Sequence, residues 1–226
     1  MERIRLLLVD DESLTRETLK DYMSCDPTIA VVGEAADGEA AVAQARALQP
    51  DVVLMDMHMP KMDGVEAASR IHAAFPEIGI LGLSTFSTDR YVVPLLRAGA
   101  SGYLVKDADP EEMVAAVRTV HAGESVLSRK VTRHVVDWVA DSVPATREAD
   151  GDLLATLTDR ELEVIESLAR GMSNKEIATE LFITESTVKA RLVKVMAKLG
   201  VRDRVQILIT ALDCGLVDLH RPMPAD

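Results

Sequence analysis

From residue 1 to about 122, short apolar runs alternate with longer stretches whose apolar positions recur every three or four residues. The runs Ile4–Val9, Ala30–Glu34, Val52–Asp56, Ile80–Ser84 and Gly102–Val105 read as strands. Between and after them, Leu14–Ser24, Gly38–Leu48, Val65–Ala74, Thr88–Arg97 and Pro110–Ala122 carry amphipathic helical periodicity. Five βα units in this order predict an α/β fold, a doubly wound parallel five-stranded sheet with right-handed crossovers. The turn chemistry agrees: Gln49-Pro50 stops one helix, Met59-Pro60 opens a loop, and Asp63-Gly64 turns into the next helix.

The pattern then changes. Ser128–Ala140 is one more amphipathic stretch, and Asp141–Asp152 has no apolar periodicity and reads as a linker. From Leu157 onward every periodic segment is helical. Thr158 with Glu161, and Ser173 with Glu176, have capping-box spacing, so each opens a helix; these end near Arg170-Gly171 and at Leu181. After a short Phe182-Ile183 turn, Thr184 or Glu185 opens a third helix running to Leu199-Gly200. Asp203 opens a fourth, ending near Cys214-Gly215. The expected organisation is residues 1–122 as an α/β domain, 123–152 as connecting helix and linker, and 153–226 as a small all-α four-helix domain.

Composition narrows the class. Of 226 residues 48% are hydrophobic but only 3% aromatic, so aliphatic side chains and methionine must fill the core. A net charge of −12 opposes general affinity for nucleic acid or membrane. Cys25 and Cys214 have no metal-type spacing and are expected to be buried as small apolar residues. Met1–Asp11 has too short an apolar run for a signal peptide, and no stretch is long enough to span a bilayer. A cytoplasmic protein without membrane partners is expected.

Asp10, Asp11, Asp56 and Lys106 each fall where a predicted strand ends. In a parallel sheet those ends share one edge, where such folds bind ligands. Asp11, helped by Asp10, and Asp56 offer the oxygen ligands that Mg²⁺ prefers. An aspartate can attack a phosphoryl group, while a lysine and a metal offset its charge. A hydroxyl from Ser84 or Thr85 could bond another phosphoryl oxygen. Taken singly, each aspartate could be a cap and Lys106 a solvated lysine; four such residues at successive strand ends favour a phosphoryl site.

The segments VDDE, LMDMHMPKMDG, LST and AGASGYLVKD resemble the receiver domain of bacterial two-component response regulators over Ile4–Ala122. That resemblance implies a flavodoxin-like fold, Asp56 as phosphoacceptor, and Mg²⁺ held by Asp10, Asp11, Asp56 and the backbone carbonyl of His58. It further implies Lys106 as the phosphate-binding lysine, Ser84 and Tyr103 as switch residues, and a sensor histidine kinase as phosphodonor. Phe86, two residues past Ser84, would either restrict water access to the phosphoryl group or simply pack.

Six cations, Lys189, Arg191, Lys194, Lys198, Arg202 and Arg204, lie among residues 189–204 against the single acid Asp203. The local charge is +5, leaving −17 for the rest of the chain, and a basic stripe in an acidic protein suggests a local polyanion. Two short capped helices across a tight turn, the second basic, suggest a helix-turn-helix whose second helix enters the major groove. Val188, Leu192, Val195, Met196 and Leu199 would face the core. Glu185, Ser186, Lys189, Val193 and Lys194 would face outward. Lys189 and Lys194 suit phosphates or guanine edges, Ala190 and Val193 suit thymine methyls, and Asn174 and Lys175 suit phosphate positioning.

Leu157–Gly215 resembles the LuxR-type helix-turn-helix domain, and the two segments together resemble the NarL/FixJ family of response regulators. The resemblance implies double-stranded promoter DNA as partner, with Thr187 and Arg191 also in the DNA-binding segment; Arg191 stands where the family commonly has a histidine. It implies that the last helix, through Val205, Leu208, Ile209 and Leu212, forms a homodimer, although that stripe would equally serve packing within the domain. Phe182, at a variable turn position, is expected to pack. Two other functions stay in play. A Mg²⁺-dependent phosphatase would need a second catalytic Asp at the position His58 occupies. A receiver acting through protein contacts alone would not need the acidic set.

Overall fold

The computed structural model describes residues 3–85, 91–127, 131, 132, 134, 135, 138 and 155–217. It forms two compact units, Met1–Val126 and Leu127–Asp226. Phe86, the start of the predicted Thr88–Arg97 helix, most of Ser128–Ala140 and the Asp141–Asp152 linker lie wholly or largely outside the described residues.

In the first unit, β1 (Ile4–Val9), β2 (Ile29–Ala35), β3 (Val52–Asp56), β4 (Gly79–Ser84) and β5 (Gly102–Val105) form a parallel sheet in the order β2-β1-β3-β4-β5. Its helices are α1 (Ser13–Ser24), α2 (Gly38–Leu48), α3 (Gly64–Ala74), α4 (Val92–Arg97) and α5 (Pro110–His121). Every residue of β3 and β4 is buried, as expected of central parallel strands covered on both faces. Alternate residues supply the two faces. Leu6 and Leu8 of β1 join Val52, Leu54, Leu81 and Leu83 in one core with Leu19 and Met23 of α1 and Met113, Val117 and Val120 of α5.

The element ends differ slightly from expectation, for identifiable reasons. β2 reaches Ile29 and Ala35 because they pair with Ile4 and Val9, and β4 includes Gly79 because it pairs with Val52. α3 starts at Gly64 because the Asp63 carboxylate caps it, accepting from the Glu66 N–H at 2.9 Å. Gly64 is also required by close approach: a Cβ there would lie 2.2 Å from the Asp56 carbonyl oxygen.

The second unit contains α6 (Asp159–Ala169), α7 (Asn174–Glu180), α8 (Glu185–Leu199) and α9 (Arg204–Asp213). Thr158, Ser173, Thr184 and Asp203 occupy their N-cap positions. Left-handed Gly171 and Gly200 follow the ends of α6 and α8. Val164, Ile165 and Leu168 of α6, Ile177 of α7, and Val188, Leu192 and Val195 of α8 are buried; Met196 and Leu199 are half-buried. The Glu161 carboxylate accepts from the Thr158 backbone N–H at 2.8 Å and from Lys198 Nζ at 2.6 Å, so one acid caps α6 and grips the last turn of α8. Burial alone would raise the Glu161 pKa, but the Lys198 and Thr158 hydrogen bonds outweigh it and hold it at about 2.

Two packing expectations fail. Phe182 is 95% exposed, because its backbone sits at φ 53° in the turn and the neighbouring Ile183 is the partly buried residue. Cys25 is exposed and Cys214 half-buried. Cys25 sits just past the end of α1, where its thiol bonds the Asp21 carbonyl one turn back, at 3.5 Å.

Candidate functional site

The ends of β1, β3 and β5 bring the predicted charged set together. One carboxylate oxygen from each of Asp10, Asp11 and Asp56 lies within 4.8 Å of the other two. Asp10 and Asp56 are buried, and Asp11 is exposed at the mouth. Lys106 Nζ lies 2.7 Å from Asp10 Oδ2 and 2.9 Å from Asp56 Oδ1. Its position follows from β5 ending beside β4: the Lys106 N–H donates to the Ser84 carbonyl at 2.8 Å. Ser84 is buried at the end of β4, and Thr85 is exposed.

Backbone groups fix both buried acids. The Glu12 N–H donates to Asp10 Oδ1 at 3.0 Å, and the His58 N–H donates to Asp56 Oδ2 at 3.2 Å. Burial pushes the Asp56 carboxyl above its usual range, and Lys106 draws it part of the way back. For Lys106 burial works against the charge, but hydrogen bonds to Asp10 and Asp56 outweigh it, so its pKa is raised. Three carboxylates supplying only oxygen, two buried and one open, fit a hard divalent cation such as Mg²⁺. The Tyr103 ring is buried on β5, and the exposed His58 meets Tyr91 edge-on with centroids 4.8 Å apart.

Two participants in this region were not singled out from the sequence. The Arg16 guanidinium donates to the Asp10 carbonyl at 2.7 Å and lies 3.6 Å from Glu34. Tyr91 is the second. An arginine five residues past an acidic pair is a weak signal, and a tyrosine 33 residues beyond His58 is none.

In the second unit α7 and α8 are joined by the Leu181–Thr184 turn. The Thr184 hydroxyl accepts from the Thr187 N–H at 3.2 Å and bonds the Ser186 and Thr187 hydroxyls, each at 2.8 Å. Glu185, Ser186, Lys189, Ala190, Val193 and Lys194 are exposed; Thr187 and Arg191 are half-buried. Lys175 is exposed and Asn174 half-buried at the start of α7. Lys198, Arg202 and Arg204 of the basic stripe are engaged inside the domain: Lys198 by Glu161, Arg202 by Asp203 at 3.4 Å, and Arg204 by the Met172 carbonyl at 2.8 Å. Val205, Leu208, Ile209 and Leu212 do not form an exposed stripe. All four are buried, at 1–6% exposure.

Two family models match: the response regulator receiver domain over residues 6–118, and the luxR family of bacterial regulatory proteins over 155–211. Among similar proteins, the transcriptional regulatory protein YxjL of Bacillus subtilis is 39% identical over 217 residues, covering 96% of this chain and 98% of its own. The response regulator protein VraR of Staphylococcus aureus is 37% identical over 214 residues, covering 95% and 99%. The chain belongs to the response regulator family. The solved response regulator ChrA, from a heme-sensing two-component system, aligns with TM-score 0.53 at 33% identity over 96% of this chain and all of its own. The receiver domain of NarL from Mycobacterium tuberculosis aligns with TM-score 0.53 at 36% identity, over 54% of this chain and 99% of its own.

The chain is therefore a DNA-binding two-component response regulator of the NarL/FixJ type, a transcriptional regulator and not an enzyme. Among the described residues no helix is long and apolar enough to cross a membrane.

Proposed function

We propose that Asp56 accepts a phosphoryl group from a sensor histidine kinase and that this modification controls binding of the chain, as a homodimer, to double-stranded promoter DNA in the cytoplasm. The observation that carries the proposal is Lys106, whose ammonium bridges Asp10 and Asp56 at the sheet edge beside Ser84. An Asp56 carboxylate oxygen attacks phosphorus, forming an O–P bond as the P–N bond to the kinase histidine breaks; the imidazole leaves with that electron pair and takes up a proton. Lys106 then pairs with a phosphoryl oxygen and Ser84 donates its hydroxyl to another. Mg²⁺ would be held by Asp10, Asp11, Asp56 and the His58 carbonyl, and would neutralise phosphoryl charge when bound.

Tyr103 and Ser84 carry the change from the pocket to the surface, which requires a free-energy difference between two arrangements. In the output domain, Lys189, Arg191 and Lys194 neutralise phosphates or meet guanine. Ala190 and Val193 meet thymine methyls, Glu185, Ser186 and Thr187 lie at base edges, and Asn174 and Lys175 position the backbone. The division of labour follows 1–122 as receiver, 123–152 as connector and 153–226 as DNA-binding domain. The test is a gel shift with chain treated with acetyl phosphate and Mg²⁺, beside Asp56→Asn. Phosphorylation and the donor-dependent gain in DNA binding should both vanish in the variant; a gain that survives there refutes the proposal.

A further inference from the structure

We infer that Phe182, in the turn between α7 and α8, is a non-ionic contact to duplex DNA. Among the described residues three large hydrophobic side chains stand exposed, Leu14, Phe182 and Val193, and two of the three lie on the helix-turn-helix. Phe182 is the most exposed of them, at 95%. Its backbone lies at φ 53°, a conformation that glycine adopts freely and a side chain with a Cβ does not. The fold therefore gains nothing from phenylalanine here: the ring joins no core, and a glycine would make the same turn with less strain. A side chain that is both exposed and strained fits a role toward a partner.

Its position selects the partner. Phe182 is two residues before Thr184, the N-cap of α8. In a helix-turn-helix the first residues of the second helix meet base edges in the major groove. Two peptide steps keep the Phe182 Cα within about 7.6 Å of that N-cap, so the ring can reach the wall of the groove. Thr184, Glu185 and Ser186, all exposed, continue the same surface. The ring carries no charge and suits a deoxyribose edge or a thymine methyl, while the phosphates are left to the lysines. This inference rests on α8 being the helix that enters the groove.

The test uses full-length protein and a duplex that the wild type enriches from a randomised pool. Phe182→Gly should melt no lower than wild type, because strain is relieved, yet bind that duplex about tenfold more weakly. Phe182→Tyr should retain the affinity. The slope of log K against log salt should be unchanged in Phe182→Gly, whereas Lys189→Ala should reduce its magnitude by about one. Binding by Phe182→Gly within twofold of wild type overturns the inference, as does an affinity loss accompanied by loss of self-association at the same protein concentration, which would assign the ring to a second copy of the chain. If the wild type enriches no duplex, the reading of α8 itself fails and takes this inference with it.

Discussion

Replacing Lys106 by methionine removes the cation between two buried carboxylates while keeping most of the side chain's volume. The ammonium sits 2.7 Å from Asp10 and 2.9 Å from Asp56. At an effective dielectric constant of 20, each such contact is worth roughly 6 kcal/mol before desolvation is counted. The lysine side chain is 24% exposed, so part of that attraction is screened and part offsets the cost of burying the charge. Breaking a buried pair from one side leaves an uncompensated charge, and here it leaves two; the expected net loss is about 2–4 kcal/mol without Mg²⁺. Hydrogen exchange read by mass spectrometry on peptides covering β1 and β3, in EDTA, measures this as a fall in opening free energy. Adding Asp56→Asn to Lys106→Met should recover at least about 1 kcal/mol, since one of two adjacent buried anions is gone. A loss below about 0.5 kcal/mol, or no recovery in the double variant, would show that the lysine does not hold the pocket together.

Gly64→Ala drives a Cβ to 2.2 Å from the Asp56 carbonyl and 2.9 Å from the Met57 Cα, both backbone, so α3 must shift. It should cost about 1–3 kcal/mol by urea denaturation and slow labelling of Asp56 by acetyl phosphate. Glu161 has a folded pKa of about 2, below its ordinary 4.5, so its stabilisation is complete above pH 4.5 and is lost as pH falls through 2. Glu161→Gln should therefore flatten the stability profile of the second unit between those values, at a neutral-pH cost of about 2 kcal/mol after discounting for the exposed part of Lys198. Thr184→Ala removes the cap of α8 and should lower the stability of that unit by about 1 kcal/mol, measured by circular dichroism.

Much of the architecture is legible in the order of the elements. Parallel strands joined by helices put their C-terminal ends on one edge, so Asp10, Asp56 and Lys106 converge although 46 and 50 residues separate them. β1, β3 and β5 have the limits that their apolar runs predict. The limits of β2 and β4 depend on partners, Ile4 and Val9 for one and Val52 for the other, which no local pattern reveals. Periodicity in α9 identifies a face to be buried but not what covers it, and Val205, Leu208, Ile209 and Leu212 turn out to be buried. Charge counting has the same weakness. Lys198 looks like a DNA cation until Glu161, 37 residues earlier, is found 2.6 Å away. Phe182 misleads for the opposite reason, since hydrophobic character predicts burial and the turn's backbone turns it outward.

The double duty of Glu161 bears on how far this domain can be re-engineered. Recognition helices are attractive units for transplantation, because a short segment carries the sequence preference. Here the last turn of the segment Glu185–Leu199 carries Lys198, whose counter-charge belongs to another helix. Grafted whole into a host without an acid at the first turn of the equivalent helix, it would arrive with a stranded cation. Grafted as the outward positions alone, Ser186, Lys189, Ala190 and Val193, it would bring no Lys198 in need of that acid. If α8 reads DNA as proposed, the portable part is a pattern of surface residues, and the helix that displays them is not interchangeable.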